Sequence, residues 1–254
     1  MVFRIKRKRS KRRRRVKKNI SFRIITIILL LICSRGLINN YSDYKSKEAK
    51  SVNLLLSNEE VDNTFTVCID PGHGDWDVGT IGIGGSYEKD IVLDISLELG
   101  ELLENEGVNV VYTRTTDNLT WSDNSTENLY ERVRICEESN SDIFISIHCN
   151  SAGDSSEYKG IETWYNSKSY NSEVLATMIQ EGLSNINYTE DRGIKSYDEN
   201  EPLAVLNSNT VPAALVELGF ISNWSDENYL NSKYGQANVS KSICNDILNY
   251  KNII

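Results

Sequence analysis

Apolar positions gather into short continuous runs separated by longer periodic stretches, and that alternation predicts the fold. Six runs read as strands: Phe65–Asp70, Val108–Thr113, Asp142–His148, Gly160–Tyr165, Leu203–Leu206 and Ala213–Leu218. Several are apolar without a break, as strands covered on both faces are. Between them, residues 89–107 put Val92, Ile95, Leu99 and Leu102 at helical spacing and stop at Gly107, a residue suited to a helix C-terminus. Glu127–Ser139, Ser172–Ser184 and Gln236–Tyr250 read likewise. Strand–helix alternation predicts one α/β domain over residues 64–254. Its mostly parallel central sheet should have about six strands, with helices on both faces.

Before residue 64 the pattern changes. An unbroken apolar core, Ile24–Cys33, extends to a span over residues 20–38 with Arg23 and Arg35 near its ends. Charge sharpens this reading. Of 28 Lys and Arg, 12 fall within residues 4–18, and no acid precedes Asp43. From residue 19 onward 16 basic side chains face 36 acidic ones, a net −20. A basic flank before a short apolar core is the layout of a secretory signal or an N-terminal membrane anchor. It keeps residues 1–19 cytoplasmic and exports the rest, with residues 39–63 as a polar tether. Alone, the arginine run would also suit a nucleic-acid arm. Joined to an apolar segment and an acidic remainder it reads as a topology signal, so no nucleic-acid partner is expected. The five cysteines form no C-x-x-C pair and read as buried free thiols.

The chemistry concentrates in few residues. The chain has two histidines. His73 follows the first predicted strand in "CIDPGHGDWD", and His148 ends the third in "DIFISIHCN". Glu217 sits near the end of the last, between Leu215-Val216 and Leu218-Gly219. The carboxyl ends of parallel strands share one edge, where ligands bind. Two imidazoles and a carboxylate suit Zn²⁺, with a fourth position left for water. Glu88, at the start of the first helix, is the candidate carboxylate ligand. Blander readings stand beside these: Glu88 can complement a helix N-terminus, and His148 can be a core histidine. Glu217 is harder to excuse, because a carboxylate in that apolar setting must be paired, protonated or functional.

Several motifs in order resemble the zinc-dependent N-acetylmuramoyl-L-alanine amidases over about residues 65–250. "IDPGHG", "YEKD" and "ISIHCNS" are similar to the family's metal motifs, which implies zinc ligands His73, Glu88 and His148. "VPAALVELGFISN" is similar to the segment bearing the catalytic glutamate, here Glu217; "TRTTD", "LYERVRI", "RGIK" and "LAVL" match in support. The resemblance implies hydrolysis of the amide between the lactyl group of N-acetylmuramic acid and L-alanine in peptidoglycan. Asn150 and Arg192 are candidates for substrate contact, and a solvated surface role for Arg192 stays open. Departures from the family pattern stand at Cys136-Glu137, Cys149 and Asn207. Two other classes remain open: a zinc hydrolase of another wall bond, and a non-catalytic wall-binding module. An acidic exported domain is repelled by anionic wall polymers, so a protein activator or localising partner is also expected.

Overall fold

The computed structural model describes residues 64–121, 124–197, 200 and 202–254. The basic segment, apolar span and tether expected within residues 1–63 lie outside the described residues. No helix among the described residues is long and apolar enough to cross a membrane.

A six-stranded sheet runs through the domain. Its strands are β1 (Thr66–Pro71), β2 (Asn109–Tyr112), β3 (Ile143–Asn150), β4 (Ile161–Tyr165), β5 (Asp191–Ser196) and β6 (Ala213–Phe220), in the order β2-β1-β3-β6-β4-β5. The first four in that order are mutually parallel; β4 runs antiparallel to β6, and β5 follows β4 in parallel. The mostly parallel sheet is therefore as expected, with one reversal that matters for the site. Because β4 and β5 run the other way, their first residues lie at the same edge as the last residues of β1, β3 and β6.

Helices cover both faces. On one side α1 (Glu88–Asn105), α3 (Tyr170–Asn185) and α6 (Lys233–Lys251) bury the main core, with Ile95, Leu99, Ile179 and Ile243 against Val67, Ile69, Ile145 and Val216. On the other, α2 (Ser125–Glu138) and the single turn α4 (Ala204–Asn207) form a smaller cluster in which Val133, Cys136, Val205 and Leu206 meet Cys68, Phe144 and Leu215. Successive strand residues alternate between the two clusters, as a pleated strand requires. Residues 68, 144 and 215 point to the thinly covered face. So do Asp70, Ser146, His148 and Glu217, two and four residues further along the same strands. The polar groups thus share one face and one edge.

Two expectations need correction. Leu203–Leu206, expected as a strand, lies largely in α4, because a short apolar run fits a buried helical turn as well as a strand. The sixth strand is instead β5, "DRGIKS", which has no apolar periodicity and pairs only with β4 at the sheet edge. A short helix, α5 (Trp224–Leu230), follows β6, capped by the Asn223 side chain. The expected helix boundaries otherwise hold to within a few residues, and Gly107 follows α1 with φ +74°. Cys68, Cys136, Cys149 and Cys244 are buried free thiols, as expected.

Candidate metal centre and active site

His73 stands on the loop leaving β1 with φ +58°, a left-handed backbone unusual for a residue with a side chain. Such strain persists only where the surroundings over-determine it. Here two buried arginines do so. Arg132 of α2 donates to the carbonyls of Pro71 (2.9 Å) and His73 (2.7 Å). Arg114, after β2, donates to Pro71 (3.0 Å) and Gly72 (2.8 Å). Three consecutive carbonyls are thus held. Arg132 also meets Asp70 at 2.6 Å, and the Asp70 carboxylate accepts from Thr113 and Ser146. Burial would push that carboxyl up, but the Arg132 charge and these hydrogen bonds hold it below its usual range.

Glu88 opens α1 and is almost fully buried. Its Oε2 accepts from the Thr80 N–H (2.9 Å) and its Oε1 from the Cys149 N–H (2.9 Å). The same Oε1 lies 3.1 Å from His73 Nε2 and 3.1 Å from His148 Nδ1. The two rings stand edge to face at 4.9 Å. His73 Nδ1 pairs with Asp77 at 2.9 Å, which holds the ring with Nε2 toward Glu88, so Nε2 is the nitrogen free to lose its proton to a metal ion. Burial would lower the His73 pKa, but Glu88 and then Asp77 outweigh it and raise it to about 9. Burial likewise opposes ionisation of Glu88, yet His148 and His73 hold its carboxyl well below the usual range. No lysine or arginine among the described residues pairs with this buried anion.

One ligand atom each from His73, Glu88 and His148 lies within 4.8 Å of the others. A buried carboxylate and two imidazoles converging without a fixed cation are a donor set that fits a metal ion. Glu217 is the register neighbour of His148 on β6. Its Oε2 is buried without a hydrogen-bond partner, and burial pushes its carboxyl up to about 7.

Residues 67–249 match the family model described as N-acetylmuramoyl-L-alanine amidase. The chain belongs to the N-acetylmuramoyl-L-alanine amidase family. It is 38% identical over 187 residues to the uncharacterized protein YqiI of Bacillus subtilis (strain 168), covering 73% of this chain and 84% of that one. To the germination-specific N-acetylmuramoyl-L-alanine amidase of the same organism it is 30% identical over 239 residues, covering 91% and 93%. The CwlD amidase of Clostridioides difficile, solved in complex with the GerS lipoprotein, superposes with TM-score 0.67 at 30% identity, covering 75% of this chain and all of that one. The chain is thus a hydrolase by family.

Against that family the remaining candidates sort clearly. Asn150 and Arg192, far apart in sequence, both donate to the buried carboxylate of Glu162. The departure at Cys149 leaves the site alone, because its side chain packs in the main core while only its N–H reaches Glu88. Residues that sequence reasoning missed are Asp70, Asp77, Arg114, Arg132 and Glu162. The two arginines lie inside motifs already matched, "TRTTD" and "LYERVRI". Glu162 in "GIETWY" carries the signal that flagged Glu217, a carboxylate inside an apolar strand.

The packing behind His148 gives a direct test of this geometry. A Cβ at Gly72 would lie 2.3 Å from the His148 ring. We therefore expect Gly72→Ala to displace that ring and weaken metal binding by about tenfold or more, while circular dichroism still reports a folded domain. Wild-type metal content in Gly72→Ala would contradict a ligand role for His148.

Proposed function

We propose that the chain hydrolyses the amide joining the lactyl group of N-acetylmuramic acid to L-alanine, with His73, Glu88 and His148 holding Zn²⁺ and Glu217 moving the proton. One observation carries the reading. A half-buried carboxylate, one of whose oxygens is buried without a hydrogen-bond partner, stands one strand from His148, beside a donor cluster without a fixed cation, in a chain of this family.

When bound, Zn²⁺ supplies Lewis-acid chemistry, polarising a carbonyl and acidifying water. The chain's own residues do the rest. Asp77 keeps the His73 ring in one tautomer and orientation. The N–H groups of Thr80 and Cys149 fix the Glu88 carboxylate. Glu217 accepts a proton from the attacking water as the new C–O bond forms, then delivers it to the alanine nitrogen as the C–N bond breaks. A carboxyl raised toward neutrality suits both halves of that exchange.

Glu217→Gln keeps the shape but cannot accept the proton. Turnover should fall on the order of 10²–10⁴-fold with zinc content retained, and near-wild-type activity would remove Glu217 from the mechanism. The base form is lost as pH falls. Wild-type turnover should therefore decline on the acid side with a midpoint above the ordinary glutamate value of about 4.3.

Product analysis tests the reaction itself. Purified peptidoglycan digested by the full chain should gain new amino termini on L-alanine only, and chelation should stop the gain. New termini on another residue would indicate an endopeptidase, and released acetate a deacetylase; either result rejects the amidase reading. Activity without added protein would exclude an obligatory activator, an expectation supported by the acidic charge and by the CwlD relative's complex with a lipoprotein.

The reaction implies an extracytoplasmic location, in keeping with the basic flank and apolar core of residues 4–33. Protease added to intact protoplasts should digest residues beyond 38. Digestion only after lysis would reverse that topology.

A further inference from the structure

Glu162 begins a second arrangement at the same edge. It is the antiparallel partner of Glu217, so both carboxylates rise from one face of neighbouring strands. Glu162 is 4% exposed and is bonded by Asn150 and by Arg192 Nε. Arg192 reaches it through a register break. Ile161 pairs with Asp191 and Thr163 with Ile194, so Arg192 and Gly193 together oppose Glu162. A bulge of this kind re-aims a side chain, and Gly193 supplies its positive φ of +75°. The aimed side chain has a prepared bed. A Cβ at Gly160 would come within 2.7 Å of the Arg192 stem, so that position is kept bare. The guanidinium lies over the Phe220 ring at 5.0 Å. One carboxylate oxygen of Asp226 accepts from both the Gly160 and the Phe220 N–H, at 3.0 and 2.9 Å, and pins glycine and ring together.

This is more than charge neutralisation of Glu162 needs. Arg192 spends only Nε on Glu162, and among the described residues its two Nη groups have no hydrogen-bond partner while its side chain is 31% exposed. A stacked guanidinium with its plane fixed and its outer edge free is suited to grip a carboxylate. From β6 to β5 is two strand spacings, roughly 10 Å, but the Arg192 side chain leans back to Glu162 on β4 and over Phe220 on β6, which shortens the gap toward the roughly 7 Å that two extended residues reach. A peptide whose first nitrogen sits beside Glu217 can therefore bring its next acidic group to Arg192.

The geometry points to Arg192, held by Glu162 and Phe220, as the group that binds a free carboxylate of the substrate's stem peptide, that of the D-glutamate following L-alanine. This deepens the amidase reading and rests on it.

The test uses the full zinc-loaded chain and two soluble muramyl tripeptides, identical except that the D-glutamate α-carboxylate is free in one and amidated in the other. Wild type should favour the free carboxylate by about tenfold in kcat/KM, the worth of one partly exposed charge-assisted pair. Arg192→Gln should bring the ratio close to one. Arg192→Lys, a point charge without the planar fork, should give an intermediate ratio and serves if the glutamine variant does not fold. A structural role alone would lower both rates and leave their ratio unchanged. Wild type cleaving both peptides equally, or Arg192→Gln keeping the full preference, overturns the inference alone. Wild type cleaving neither peptide, while it frees L-alanine amino termini from purified peptidoglycan, overturns this inference alone; no such termini from peptidoglycan either overturns the amidase reading and this inference with it.

Discussion

Asp70 and Arg132 meet at 2.6 Å beneath the loop that carries His73, and the rest of the site depends on that buried pair. Removing one partner of such a pair typically costs about 3–5 kcal/mol, because the other charge is stranded. Here the consequence is also local. The arginine that satisfies Asp70 also holds the Pro71 and His73 carbonyls, so the charge buried at the end of β1 fixes the strained turn after it. Asp70 in turn ties Thr113 beyond β2 and Ser146 on β3 to the same point. The strand ends that present His73 and His148 are thereby locked together before any metal is considered.

Strand direction sets what else reaches the site. Had every strand been parallel, only carboxyl ends would meet at this edge. The antiparallel step from β6 to β4 brings the beginning of β4, and with it the beginning of β5, to the same place. Glu162 and Arg192 arrive by that reversal. Beside the thin cover of α2 and α4 on this face, against three longer helices on the other, His73, His148 and Glu217 stay partly exposed while Asp70, Ser146 and Glu162 are buried.

The sequence made much of this legible, for physical reasons. His73, Glu88, His148 and Glu217 stood out because imidazoles are scarce in this chain and a carboxylate is costly inside an apolar strand. Strands β1, β2, β3, β4 and β6 announced themselves as apolar runs. β5, "DRGIKS", did not, because Ile194 is its single apolar residue and its other positions serve a bulge and the Arg192–Glu162 contact, and "LAVL" took its place in the count. The apolar runs also hid their own alternation: both faces of β3 are apolar until Ser146 and His148, so only the structure assigns the polar groups to one face. The reversal of β4 leaves no mark on composition, which is why Glu162 went unread although it carried the same signal as Glu217.

Three carboxylates stand close together at this edge, and their surroundings give them different work. Glu88 faces two imidazoles and two backbone N–H groups, which keep it an anion fit to hold a cation. Glu162 faces a guanidinium and an amide, which commit it to orienting Arg192. Glu217 has no cationic partner of its own among the described residues, and burial raises it toward neutrality. Carboxyls in one pocket with environments that push them apart are how a site assigns acid–base roles without changing residue type. A fixed positive partner for Glu217 would hold it ionised and remove its capacity to return a proton. In the proposed mechanism, the absence of such a partner among the described residues is what suits Glu217, rather than Glu88 or Glu162, to carry the proton.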